Sequence, residues 1–123
     1  MYVQGVLMAN MSKRSFAAPD DVMKAERSVT NIIKLGGRTV AMITFKPGWQ
    51  WSKDVKPTVG TSLCMKHHFG YAMSGKMRIR MDNGTEAEYN AGDLVDIPPG
   101  HDGWVVGNQP AVLLDFGDPC SCG

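Results

Sequence analysis

An all-β fold, a single-domain jelly roll or barrel with a short N-terminal extension, is what this sequence predicts, on three observations. Short apolar and β-branched runs recur at roughly ten-residue spacing, each bounded by turn residues. Fourteen glycines and seven prolines in 123 residues supply the punctuation. Residues 77–81 alternate strictly, Met77, Ile79 and Met81 against Arg78 and Arg80, which is the two-residue period of a half-buried strand.

Taken in order, residues 1–18 read as an extension, 19–118 as the β domain and 119–123 as a tail. The mildly apolar stretch 2–9 precedes Lys13 and Arg14, the reverse of the order in a signal peptide. Pro19 to Glu26 reads as a short helical turn capped by Asp20. Strands fit residues 31–35 and 39–45, with Gly36-Gly37 as the hairpin between them. Pro47-Gly48 stops the second strand. The loop from Trp49 to about Gly60 is long for a compact domain and carries two of the three tryptophans, so it is expected to cover something.

Downstream, strands are predicted at 71–74, 77–81, 94–97 and 111–116, with a return strand ending at Tyr89. Asn83-Gly84 supplies the positive backbone angles of a type I′ turn and sets Glu86 and Glu88 across from Arg78 and Arg80. Such exposed pairs are worth at most about 1 kcal/mol each and set register more than stability.

Thirteen basic and twelve acidic residues leave a net charge of +1, which gives no footprint for nucleic acid or an anionic membrane. No run approaches the roughly 20 apolar residues of a membrane span. Three cysteines form an odd, sparse set, and read as a reduced, cytoplasmic protein rather than a disulfide scaffold. Cys120 and Cys122 in the tail are either a soft-metal pair or adventitious. There is no Gly-x-Ser-x-Gly elbow, no phosphate loop and no carboxylate pair suited to glycoside chemistry.

The richest segment is 92–101, Gly92-Asp93-Leu94-Val95-Asp96-Ile97-Pro98-Pro99-Gly100-His101. A Gly-Asp turn feeds a short apolar strand, two prolines and a glycine stop it, and a titratable, metal-capable histidine stands at the corner. Gly92-x5-Pro98-x-Gly100 resembles the start of the second cupin motif, and residues 60–75 occupy the place of the first. The resemblance spans about residues 31–116. More narrowly, Pro47-Gly48-Trp49-x-Trp51-Ser52 and Pro99-Gly100-His101-Asp102-x-Trp104 are similar to a small stand-alone bacterial cupin group without a firmly assigned activity.

The resemblance implies a cupin-type jelly-roll barrel (a double-stranded β-helix), commonly a homodimer, with a metal held inside. This chain departs from the family pattern. It has no His-x-His pair, only adjacent His67 and His68, and His68 falls at the offset of the family glutamate. The positions of the histidine pair fall around Thr61 to Met65, where Cys64 is the one good ligand. Gly103 stands where the second motif has its histidine, and His101 lies two residues earlier, on the same face of an extended strand. The implied ligand set is therefore Cys64, His68 and His101, suited to zinc or iron(II). Cys64 and His68 would stand about 13 Å apart on a straight strand, so the set requires a turn or a bulge between them.

Each residue has a plainer reading. His68 and His101 are either ligands or corner histidines bonded to the backbone, and Cys64 is either a ligand or a small buried hydrophobe. Trp49, Trp51 and Trp104 are wall and lid packing or stacking surfaces. Asp102 either orients His101 or shapes the turn, and Tyr71 is a pocket hydroxyl or core packing. Three functions follow: a metal-binding cupin acting on or holding a small polar metabolite, a metal-free binding or sensing module, or a structural or partner-binding dimer.

Overall fold

The computed structural model describes residues 10–117. The first nine residues of the expected extension and the Cys120–Cys122 tail lie outside the described residues. The strands are β1 (Asp21–Ala25), β2 (Ser28–Leu35), β3 (Arg38–Phe45), β4 (His68–Ser74), β5 (Lys76–Met81), β6 (Glu86–Asn90), β7 (Leu94–Ile97), β8 (His101–Val105) and β9 (Ala111–Asp115). One helical turn, α1 (Trp51–Asp54), and a 3-10 turn, Lys56–Thr58, complete the set.

Pairing is antiparallel throughout, in a six-stranded sheet ordered β1-β2-β3-β9-β4-β7 and a three-stranded sheet ordered β6-β5-β8. This corrects the expectation of a closed jelly-roll barrel, because the ladders end at β7 and β6 without joining. A groove of about 430 Å³, lined by Ile79, Met81, Glu88, Leu94, Asp96 and Pro98 among others, separates the β5–β6 hairpin from β7. After β6 the chain crosses to the other sheet: Gly92 N donates to Ala72 O, and Ala72 N donates to Asp93 O. The result is two open sheets sharing one core, with Ile43, Phe45, Ala72 and Leu113 from one and Met77, Tyr89 and Val105 from the other.

Local chemistry explains the hairpins. Gly36 and Gly37 both take positive φ, 58° and 75°, so the β2–β3 turn meets the type I′ requirement. The β5–β6 turn does not. Among its residues only Gly84 is left-handed (φ 89°), while Asn83 Oδ1 accepts from Thr85 N and Oγ1. A side-chain hydrogen bond has taken the place of the second positive angle. The expected register holds nonetheless, Arg78 opposite Glu88 and Arg80 opposite Glu86.

The helical turn expected at 19–26 is a strand instead. Residues 21–25 pair with β2 through a tight turn in which Arg27 takes φ 58°. Every β1 residue is exposed, so ladder hydrogen bonds rather than burial hold it. Asp20 does not cap a helix. Its carboxylate accepts from Arg14 Nη2 (2.8 Å) and Lys34 N (2.7 Å), and the Arg14 guanidinium holds it below the usual carboxylate range.

The long loop does cover something. Trp51 is buried beneath it, and Asp102 pins the segment down. Asp102 Oδ1 accepts from Ser52 N (3.0 Å), and Oδ2 accepts from Gln50 Nε2 (3.0 Å). Asp54 accepts from Arg27 Nη1 (2.8 Å) on the other side. On the outer face of the six-stranded sheet Phe69, Tyr71, Met73, Leu94 and Phe116 remain exposed.

Candidate metal centre

Strand alternation sets the inward face of β4 as His68, Gly70 and Ala72, with Phe69, Tyr71 and Met73 outward. His67, just before the strand, turns outward and pairs with Asp96. Residues 65–67 belong to no strand, and across this break the side chains of Cys64 and His68 come together, Sγ to Nε2 at 3.9 Å. Cys64 then pairs directly with His101: Cys64 N donates to His101 O (2.8 Å), and Gly100 N donates to Cys64 O (2.7 Å). Gly100, at φ 92°, turns the Pro98-Pro99 corner back toward Cys64.

The structure thus brings together three residues separated in sequence. One ligand atom from each of Cys64, His68 and His101 lies within 4.8 Å of the other two, and all three residues are buried. Cys64 Sγ is 3.9 Å from His68 Nε2, and the two imidazole centroids are 5.5 Å apart at 66°.

What surrounds the imidazoles sets their chemistry. His68 Nδ1 lies 2.6 Å from Asp115 Oδ2, and His101 Nδ1 lies 2.7 Å from Pro98 O. A carbonyl oxygen and a carboxylate are acceptors only, so each Nδ1 carries the proton and donates it. In a neutral ring the lone pair is then on Nε2. Carboxylate and carbonyl partners of this kind orient metal-bound histidines and raise their basicity. Two imidazoles and a thiol make a nitrogen and sulfur donor set that fits zinc or iron(II) better than a hard cation.

Beside these residues is a cavity open to the centres of water-sized molecules over about 30 Å³. His68 and His101 line it together with Trp49, Trp51, Phe45 and Tyr89. Among the described residues, the buried side-chain nitrogens and oxygens without a hydrogen-bond partner are Trp49 Nε1 and Trp51 Nε1. An unsatisfied buried donor costs about 1–3 kcal/mol.

Burial drives the Asp115 carboxyl upward, but hydrogen bonds from His68 and the Gly117 amide, with the charges of His68 and Lys66, outweigh it. The net shift is below the ordinary carboxylate value. Burial and the Asp115 charge together push the Tyr89 phenol up. The unfolded chain therefore takes up Asp115's proton at higher pH than the folded one. Its contribution to stability is present above about pH 4 and is lost as pH falls through the depressed folded value. Urea unfolding of metal-free protein at a series of pH values should show the wild-type advantage over Asp115→Asn shrinking in that acid range. An advantage that stays level from pH 6 to 3 would contradict the assignment.

Other candidate residues are placed differently. Trp49 and Trp51 line the cavity. Asp102 is buried but serves the Gln50–Ser52 segment, and the Pro98 carbonyl, not Asp102, holds His101. Tyr71 is 40% exposed on the outer face and does not line the cavity. Trp104 lies against Arg80, whose guanidinium is 5.5 Å from a ring centroid. Sequence reasoning misses Asp115. Its one signal is an acidic residue in phase with the inward Ala111 and Leu113 of β9.

No protein-family model matches the chain, and no curated protein matches it. Among solved structures, it is similar to a protein of unknown function from Acidithiobacillus ferrooxidans, at 16% identity and a TM-score of 0.59. That match covers 80% of this chain and 88% of the other. KdgF from a Halomonas species is similar at 18% identity and a TM-score of 0.54, covering 77% of this chain and 82% of KdgF. Oxalate decarboxylase from Lactobacillus farciminis, solved as a formate complex, gives 19% identity and a TM-score of 0.57. There 91% of this chain matches 35% of the enzyme, so the chain spans about a third of it. Likeness at this level of identity shows a common fold, and the chemistry rests on the site itself.

Proposed function

We propose that this chain is a cupin-like protein that binds a divalent transition ion, zinc or iron(II), through Cys64, His68 and His101, and holds a small polar molecule beside it. One observation carries the reading: both Nδ1 atoms are engaged by acceptor oxygens, which sets the lone pair of each ring on Nε2, in a cluster that also contains a thiol. The cupin-like motifs and the shared fold support it. A bound ion would supply Lewis acidity or oxygen activation. The chain's own residues would orient it, through Asp115 and the Pro98 carbonyl, and exclude water, through Trp49 and Trp51.

Elemental analysis of protein purified without a histidine tag tests this directly. The expected result is about one zinc or iron per chain in the wild type and a strong loss in Cys64→Ser and His101→Ala. A trace of metal, unchanged by either substitution, would defeat the reading.

A metal-free binding module is the second reading, and the Cys64 Sγ to His68 Nε2 approach favours it. With Asp115 behind His68, the three residues also form a thiol–imidazole–carboxylate series. The same elemental analysis separates the two.

A further inference from the structure

The two sheets differ in their outer faces. That of the three-stranded sheet is charged, with Arg78 and Arg80 of β5 opposite Glu88 and Glu86 of β6. This is the usual pattern of an antiparallel sheet with one face in water. The six-stranded sheet lacks it. Its register sets Met42, Leu114, Tyr71 and Leu94 side by side in one row across β3, β9, β4 and β7. Phe69 and Met73 flank Tyr71 along β4, and the Phe116 ring centroid is 6.4 Å from that of Phe69. Leu94 is 70% exposed and Phe69 51%, so nothing among the described residues covers the patch.

Charge is confined to its margins. None of the outward residues of β4 or β9 is charged. Lys24 stands out on β1, Arg38 at the end of β3, and Asp96 of β7 is paired with His67. An apolar centre inside a polar rim is the anatomy of a contact between subunits. Strand β9 is apolar on both faces through Ala111-Val112-Leu113-Leu114, a pattern of sheets buried on both sides.

We propose that this face is closed by the same face of a second copy, sheet against sheet, in a two-fold dimer. A two-fold contact sets one patch upon itself, so the patch must complement itself. An uncharged apolar centre does so, whereas a charged partner would strand its charges against Tyr71 and Leu114. The size fits as well. Six strands of four to eight residues make a face of roughly 24 by 20 Å, about 500 Å² in flat projection before side-chain relief is counted. A standard interface buries about 800 Å² of accessible surface per partner. The contact is independent of the metal reading, because β4 and β9 turn His68 and Asp115 inward and this face outward.

Sedimentation of the full chain over a wide concentration range, with chelator and reductant present, tests the contact free of metal or disulfide bridges. The wild type should shift from one chain to two as concentration rises. Tyr71→Lys should raise the dimer dissociation constant about 30-fold or more, since each contact buries the new charge twice. Met23→Lys is the control. Met23 is 39% exposed but stands opposite Thr30, which is buried on the inner side, so the constant should not change. A wild type that is monomeric at every concentration overturns the proposal. So does a dimer that Tyr71→Lys leaves intact, which would put the interface elsewhere, such as the open edges of β6 and β7. Equal weakening by Met23→Lys also overturns it. Circular dichroism checks folding, and if Tyr71→Lys does not fold, Leu94→Lys in the same row decides.

Discussion

Gly70→Ala is expected to prevent folding. Gly70 sits on the inward face of β4 opposite Asp115, and a methyl group there would lie 2.2 Å from the Leu114 carbonyl oxygen and 3.2 Å from Asp115 Cα. These are backbone atoms of the neighbouring strand, so no side-chain rotation relieves the overlap. Strands β4 and β9 would have to part where the His68–Asp115 hydrogen bond is made. A clash of this kind belongs among the substitutions costing more than about 4 kcal/mol, a large share of the roughly 5–15 kcal/mol that stabilises a typical domain. Gly84→Ala is the control. Gly84 is left-handed, but nothing lies within 4 Å of its added methyl group, and the cost should stay near about 1 kcal/mol. Circular dichroism and urea unfolding of both variants check the pair. Equal destabilisation would mean the β4–β9 approach is looser than described.

Metal affinity is expected to collapse in His68→Ala and to fall about 10- to 100-fold in Asp115→Asn. In the proposed centre His68 would supply a ligand atom, whereas Asp115 would act through it as a positioning residue: its carboxylate holds Nδ1–H and so aims Nε2. The amide introduced by Asp115→Asn can present its NH2 group to the ring and upset that tautomer. The two effects should not add. In a His68→Ala background Asp115→Asn should cost almost nothing further, because the group it positions is gone. Competition against a chromophoric chelator measures all four proteins. An undiminished Asp115 effect without His68 would make its role one of general stability.

The strands are legible where period-2 alternation and turn residues agree, as in 77–81 and at Gly36-Gly37. Alternation does not say whether the outermost strands meet. The same pattern serves a closed barrel and an open pair of sheets, and the groove between β6 and β7 depends on packing at the edges. The segment 21–25 misleads because Pro19 and Asp20 mimic a helix start, while the pairing that makes it a strand comes from β2. At the site, two histidines and a cysteine are readable from motif offsets. Their partners are not: the Pro98 carbonyl is backbone, and Asp115 lies 47 residues beyond His68, where only strand pairing brings it near. A pocket role for Tyr71 fails because His68, Gly70 and Ala72 fill the inward face. The same two-residue period that places the histidine turns Tyr71 out.

X-ray absorption at the zinc edge interrogates the centre itself, atom by atom. Convergence of Cys64, His68 and His101 on one ion predicts a sulfur scatterer at about 2.3 Å together with imidazole nitrogens at about 2.0 Å. Cys64→Ser should erase the sulfur shell and leave the nitrogens. A spectrum built from oxygen and nitrogen alone, the same in both proteins, would contradict the account.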